Sequence, residues 1–442
     1  MGKLNDLYRK TGWHTVFSYD DEATSARTNL LYATITQNVV SGFSSGIFYT
    51  GLLLGYGIDL VNISIVTFIP YITSFFTLLT PFILERFPRR RLLLSVARIA
   101  YYVINILGVT FLPQLISDPD GRVVGLVVTV FLANAINNLF SGYTPWHMPY
   151  ITPEVRTAYF SATSLVGNIS CFAILIVASL VTDRLTPDGQ FTLIIFMRIL
   201  AFLIALLEVY FLQKPKEPQY LVSTRKHSLL NIFKLPLSNK RFRMTLLIYA
   251  LYQYIANIAS SLSNTWLLQE VQVGYLYVNV INFMFSLFVI GTSAMWGKVM
   301  RKIGTFSSLG ISCMVLSATF FAYAFVNHGN FIWLMTAVRI AQHGIGMLQS
   351  FSVNNLLYIN MPKTDQTNYT SLYTFTGNLA IFLGMMTGTG IVAAIGDDHW
   401  LLFNHSLSGV PVTMLLQGVL ILLLSFFVFA IRKKVEPEGV KI

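Results

Sequence analysis

The sequence predicts an all-α membrane protein of twelve transmembrane helices in two pseudo-symmetric six-helix bundles, and three observations predict it. Of 442 residues, 54% are hydrophobic and only 11% charged, against roughly a quarter charged in soluble domains. Lipid must therefore cover much of the apolar surface. Twelve apolar runs are each long enough to cross ~30 Å of hydrocarbon as helices. Finally, the chain repeats itself. Thr157, Tyr159, Ser161, Gly167 and Asn168 recur 210 residues later as Thr367, Tyr369, Ser371, Gly377 and Asn378. At a shift of 216, Leu30-Leu31, Gln37 and Ser44-Ser45 fall on Leu246-Leu247, Gln253 and Ser260-Ser261. Two such halves predict a duplicated bundle with its working site between them.

In chain order the runs lie at 28–54, 59–82, 92–113, 123–146, 157–182, 191–212, 243–268, 273–297, 305–327, 331–359, 368–394 and 409–431. A long run can hide a break. An even number of spans puts both termini on one side. With the N-terminus inside, the inward loops collect Arg86, Arg89, Arg90, Arg91, Arg156, Lys298, Arg301, Lys302 and Lys363. The outward loops hold Arg122 and Arg184. The positive-inside rule then puts both termini in the cytoplasm, and the cell membrane is the expected location. The net charge of +11 is thus a topology signal, with affinity for anionic lipid headgroups, and it does not point to nucleic acid. The first 26 residues are mixed and charged, so insertion is expected to use the first span rather than a signal peptide.

The longest polar stretch, 213–242, divides the spans six and six. It reads as a cytoplasmic linker between bundles 1–212 and 243–442. One interfacial helix is expected in it, around Leu229-Leu230-Asn231-Ile232-Phe233. Six spans separate equivalent positions, so the halves are expected to relate by an axis along the membrane normal. Cys171 and Cys313 both lie within spans, with no metal-ligand spacing, and neither a cofactor nor a metal is expected.

The turn after the second span reads Pro81-Phe-Ile-Leu-Glu85-Arg86-Phe-Pro88-Arg89-Arg90. It resembles the Gly-x-Leu-Ala-Asp-Arg-x-Gly-Arg-Arg loop of the major facilitator superfamily. Both glycines of that pattern are prolines here, and its acid is Glu85. The matching turn of the second half, Gly297-Lys-Val-Met-Arg301-Lys302-Ile-Gly304, keeps both glycines and has Arg301 at the acid position. The resemblance spans essentially the whole chain. It implies gating roles for Glu85, Arg86, Gly297 and Gly304, and a central cavity lined by spans 1, 4, 7 and 10. Arg339-Ile-Ala-Gln342-His-Gly344-Ile-Gly346 also looks like the superfamily's Arg-x-x-Gln-Gly-x-Gly motif with one residue inserted. The glycine-rich antiporter motif and the Pro-Glu-Ser-Pro-Arg element of its sugar porters are both missing.

The polar residues point to the same four spans. Span 1 carries Thr34, Gln37, Asn38, Ser41 and Ser45 at helical spacing; span 7 carries Gln253, Asn257, Ser260, Ser261 and Asn264. Span 4 offers Asn134, Asn137, Asn138 and Ser141; span 10 offers Gln342, Gln349, Asn354 and Asn355. Lipid cannot satisfy amides, so the stripes face water or other helices. Arg339 lies about 12 Å into span 10 at 1.5 Å per residue, with His343 one turn on. The expected substrate-binding set is Gln37, Asn38, Asn134, Asn138, Gln253, Asn257, Arg339, Gln342 and His343. Arg98 and Arg198, nearer span ends, are expected to snorkel, and Glu208 to partner a local basic residue.

These features predict a secondary transporter for a small organic solute working by alternating access, with an anionic substrate suggested by Arg339. An exporter of amphipathic drugs is the alternative, and a non-transporting receptor a remoter one. A coupling proton or cation is an expected partner, through His343 or through Asp59, Glu208 or Glu270; uncoupled exchange is the third option. The expected state is a monomer. No His-Glu-x-x-His, Gly-x-Ser-x-Gly or phosphate-cradling loop suggests an enzyme. His147, after span 4, reads as interfacial. Asn404-His-Ser406 fits a glycosylation acceptor in a secretory-pathway protein.

Overall fold

A computed structural model describes residues 13–87, 90–217, 229–362, 366–402 and 405–435. Pro88, Arg89, Lys363 and Asn404, each singled out above, lie outside the described residues. The fold is helical, with one small antiparallel pair, β1 (Trp400–Leu402) and β2 (His405–Leu407). Two compact units are present: Met1–Tyr56 with Phe75–His227, and Gly57–Ser74 with Ser228–Ile442.

In the first unit, α1 (Glu22–Ser44) opens with a reciprocal cap. Asp21 accepts the Thr24 amide at 2.8 Å, and Thr24 Oγ1 accepts the Asp21 amide at 3.2 Å. Accepting that amide proton is the main reason the Asp21 carboxyl sits below the ordinary carboxylate range. The helix stops where Ser45 turns extended and Gly46 takes φ +63°, a left-handed backbone suited to glycine. It resumes as α2 (Gly46–Gly55). The chain returns to this unit as α4 (Thr80–Arg86), after passing through α3 (Leu60–Thr73) of the second unit. Next come α5 (Arg90–Tyr102), a π-helical stretch Val103–Gly108, α6 (Val109–Leu115), α7 (Pro119–Leu139) and the short α8 (Tyr143–His147). The unit closes with α9 (Pro153–Thr182) and α10 (Pro187–Gln213). Both begin with proline, which has no N–H to satisfy in a first turn.

Arg198 on α10 departs from the sequence expectation. It does not snorkel: it is fully buried. Its guanidinium donates to Ser44 O (3.1 Å), Asn105 O (2.8 Å), Ile106 O (3.4 Å) and Thr110 Oγ1 (2.7 Å). The break after α1 and the π-helical stretch free carbonyls from regular helix bonding, and one forked cation collects them. Glu208, one α10 face away, pairs with Arg98, so Arg98 also turns inward rather than toward an interface.

In the second unit, α3 packs along α17 (Gln366–Ile395). Its other helices are α11 (Leu229–Ser238), α12 (Lys240–Ala256), α13 (Ser263–Gln269), α14 (Tyr275–Ile303), α15 (Thr305–Tyr323), α16 (Phe331–Ile359) and α18 (Gly409–Val435). The linker helix expected around Leu229 is α11, and Phe233 meets Phe375 of α17 edge to face. Between α12 and α13 the chain runs irregularly through residues 257–262. Side chains at Gly384 and Gly388 of α17 would overlap the carbonyl oxygens of Tyr254 and Ile258, so glycine is what admits this irregular backbone. Gly304 joins α14 to α15 at φ +86°. The core gathers Phe242, Leu246, Phe306, Leu309, Leu348 and Leu424.

Among the described residues, nine helices are long and apolar enough to cross a bilayer, or ten when the bent pair Tyr275–Val289 and Gly291–Ile303 counts as one. The expectation was twelve. The first and seventh expected spans make the difference. Each is interrupted, at Ser45 and at residues 257–262, and each carries the polar residues that dilute an apolar run.

Candidate functional site

Each unit holds a polar cavity. That of the first unit, about 500 Å³, is bounded by α1, α5, α7, α8, α9 and α10. Gln37 and Thr34 of α1 reach it, as do Asn137 and Ser141 after the middle of the chain's fourth expected span. Its polar centre is the Arg98–Glu208 ion pair, 2.8 Å between Nη2 and Oε1, with side chains 15% and 2% exposed. Arg98 Nη1 also donates to Asn137 Oδ1 at 2.8 Å, and the Tyr102 hydroxyl donates to Glu208 Oε2. The guanidinium stands 4.8 Å from the Tyr102 ring centre. Low dielectric strengthens such a network, while the buried Arg98 Nε has no hydrogen-bond partner.

His147, read from sequence as interfacial, is 4% exposed and lines this cavity. Its Nε2 is 3.3 Å from Leu212 O, and its ring stacks on Tyr143. Burial is the chief reason its pKa falls from 6.5 to about 4.

The second unit's cavity, about 590 Å³, is walled by α12 to α16 and α18. Arg339, Gln342 and His343 all line it, with Gln253, Gln349 and Asn354. Arg339 Nη1 donates to Gln342 Oε1 (3.1 Å) and Nη2 to the Tyr323 hydroxyl (3.0 Å). Gln342 in turn donates to Thr319 Oγ1 at 3.3 Å. Among the described residues no carboxylate pairs with Arg339, and its buried Nε has no hydrogen-bond partner. Gln417 on the same wall leaves its buried Oε1 without one. His343 Nε2 lies 3.0 Å from the Ile281 carbonyl, so that nitrogen carries the proton that is donated.

The remaining expected residues turn elsewhere. Asn38, Asn134 and Asn257 each donate to the carbonyl four residues back in their own chain, at 2.8 Å, and line neither cavity. Asn138 lines neither, although its carbonyl accepts Thr80 Oγ1 at 2.9 Å. Glu85 and Arg86 end α4, with Arg86 exposed; Gly297 lies within α14. Arg90 is buried and donates to Leu84 O at 3.1 Å, closing the end of α4. Asp59 caps α3 by accepting the Asn62 amide, and Glu270 accepts from Ser408 Oγ at 2.6 Å. The sequence reading missed the placement of Arg98, Glu208 and His147 in one wall. No sequence spacing signals it: the three residues lie near the ends of spans 3, 4 and 6 and face one another only once those ends converge.

A family model described as Major Facilitator Superfamily matches residues 31–385, about four-fifths of the chain. No curated protein matches significantly. Among solved structures, the chain is similar to the nucleoside transporter NupG, at 12% identity and a TM-score of 0.68, covering 92% of this chain and 99% of that one. A bacterial homologue of the iron transporter ferroportin in an inward-facing state matches at 13% and 0.70, over 92% and 98%. The xylose transporter XylE from E. coli, inward open, matches at 14% and 0.61, over 95% and 98%. At these identities the likeness establishes the fold alone.

Proposed function

Because the chain belongs to the major facilitator superfamily, a family of multi-pass transporters, we propose that this secondary transporter carries a small organic anion by alternating access. The observation that supports the anion is Arg339. It is a cation on a cavity wall whose buried Nε lacks a partner, with no carboxylate paired to it among the described residues. A half-buried cation without an ion partner on a cavity wall suits a counter-charge that comes and goes. The similar structures are a nucleoside transporter, a homologue of an iron transporter and a xylose transporter, chemistries too different to choose a solute, so the choice rests on Arg339, with Gln342 bonded to it and Gln253 on the same cavity.

The same proposal takes residues 1–212 and 243–442 as the working bundles of twelve spans, joined by linker 213–242, in a monomer. Both termini are taken as cytoplasmic, which the basic loops support, and the membrane as the cell membrane. Glu85, Arg86, Gly297 and Gly304 are assigned to gating by family resemblance. The coupling ion is assigned as a proton at Glu208, which lines the first unit's larger cavity beside Arg98; Asp59 caps α3, and Glu270 lines a smaller cavity of about 120 Å³. Protonation of Glu208 would release Arg98.

The test is thermal unfolding of purified protein against anionic, neutral and cationic metabolites. A ligand at 100 times its dissociation constant stabilises by about 2.7 kcal/mol. Organic anions should shift the transition, and Arg339→Ala should abolish the shift while still unfolding cooperatively. If amphipathic cations shift it instead, and Arg339→Ala responds equally, the protein is an exporter of such compounds and Arg339 is structural.

A further inference from the structure

The segment ahead of α1 is packed against the first unit. Trp13–Thr15 makes one 3-10 turn. Val16 and Phe17 then bury themselves to 4% and 3% exposure. They share one apolar cluster with Leu30, Ala33, Ile151, Tyr159 and Leu212, and those five residues also line the first unit's cavity. Phe17 lies 5.8 Å from Tyr159, ring centre to ring centre. The segment therefore rests on the cavity's own walls.

Four side-chain hydrogen bonds gather around it. The buried guanidinium of Arg27 donates through Nε to Val16 O (2.7 Å) and through Nη2 to Thr15 O (3.4 Å). Through Nη1 it holds Tyr150 O at 3.0 Å, on the turn after α8. Thr28 Oγ1 donates to Ser18 O at 3.0 Å. Each of these four bonds ends on a backbone carbonyl, which water can serve equally well once the segment lifts. Residues 18–20 carry no regular structure, Tyr19 is 64% exposed, and the capping box at Asp21 fixes where rigid helix begins. The geometry is that of a short flap on a defined pivot.

We propose that Trp13–Phe17 is a strap that closes this end of the first unit's cavity, held by Arg27, and that it must lift for solute to pass. The inference goes beyond the transport reading and is independent of which solute is carried.

The experiment uses purified full-length protein in detergent with Cys171→Ala and Cys313→Ala. One reporter, Thr34→Cys, lies in the strapped cavity; another, Ser260→Cys, lies in the second unit's cavity. The rate of maleimide labelling is read for each reporter, alone and with Val16→Ser/Phe17→Ser or with Arg27→Gln. The double substitution should speed labelling of Cys at position 34 at least tenfold, Arg27→Gln should speed it severalfold, and the rate at position 260 should stay put. Equal acceleration at both reporters would mean general loosening and overturn the proposal. So would an unchanged rate at position 34 in a variant that still unfolds cooperatively. Should the double variant not fold, Arg27→Gln decides alone by the same criterion.

Discussion

Asn38, Asn134 and Asn257 occupy the same polar stripes as Gln37 and Gln253, yet the asparagines bond back to their own chain while the glutamines line the cavities. An asparagine amide can reach the carbonyl one turn back, yet Asn137 and Asn354 line the cavities, so the helix face and not the residue type sets which amides do. Helical spacing reveals the stripe but not which amides are already spent. Arg339 was legible because depth and charge alone single it out. The Arg98–Glu208 pair was not, since two residues 110 apart in sequence meet only after folding. Two outcomes are expected here. Glu208→Ala, which strands a buried cation, should cost roughly 3–5 kcal/mol, whereas Arg98→Met with Glu208→Leu should cost far less. Thermal unfolding of Arg98→Met, Glu208→Leu and their double would measure the coupling; additive losses would mean that the pair is not coupled. His147 gives a pH signature. Its folded pKa of about 4 lies below the unfolded 6.5, so its neutral form supports the fold fully above pH 6.5. That support is lost as pH falls toward 4, by about 3 kcal/mol at most. His147→Gln should flatten the stability profile in that window and leave the neutral side unchanged.

At the level of elements, the repeat found in sequence reappears as matched interruptions. Ser45 and Ser261 are related by the shift of 216, and each falls where its helix breaks. Apolar length alone suggested continuous spans there, because a break changes backbone geometry without changing hydrophobicity. The bend in α14 escaped the sequence for the same reason. The second break depends on Gly384 and Gly388 lying against exposed carbonyls. Gly388→Val should push α17 off that backbone and lower the melting temperature by several degrees, as overpacking by 1–3 kcal/mol would. The same change at Gly390, where a side chain meets open space, should be nearly silent. Equal effects at both positions would remove close approach as the cause.

For the whole molecule, composition was the most reliable guide: a chain this apolar and this basic in alternate loops has few folds open to it. The orientation it implies is directly measurable. Single cysteines at Ser238 and at Ser408, in a background without Cys171 and Cys313, should react with an impermeant maleimide from opposite faces of the membrane, Ser238 from the cytoplasmic one. Reaction of both from one face would refute the assigned topology. One consequence concerns stiffness. A broken helix is ordinarily a joint, because unbonded carbonyls let the backbone pivot. Arg198 occupies those carbonyls at two interruptions at once, with an aromatic ring, Tyr49, 5.6 Å from its guanidinium. It works as a weld rather than an axle: α1, α2, the π-helical stretch and α10 are fastened at a single point, and the bends of the first unit are fixed shapes instead of moving parts.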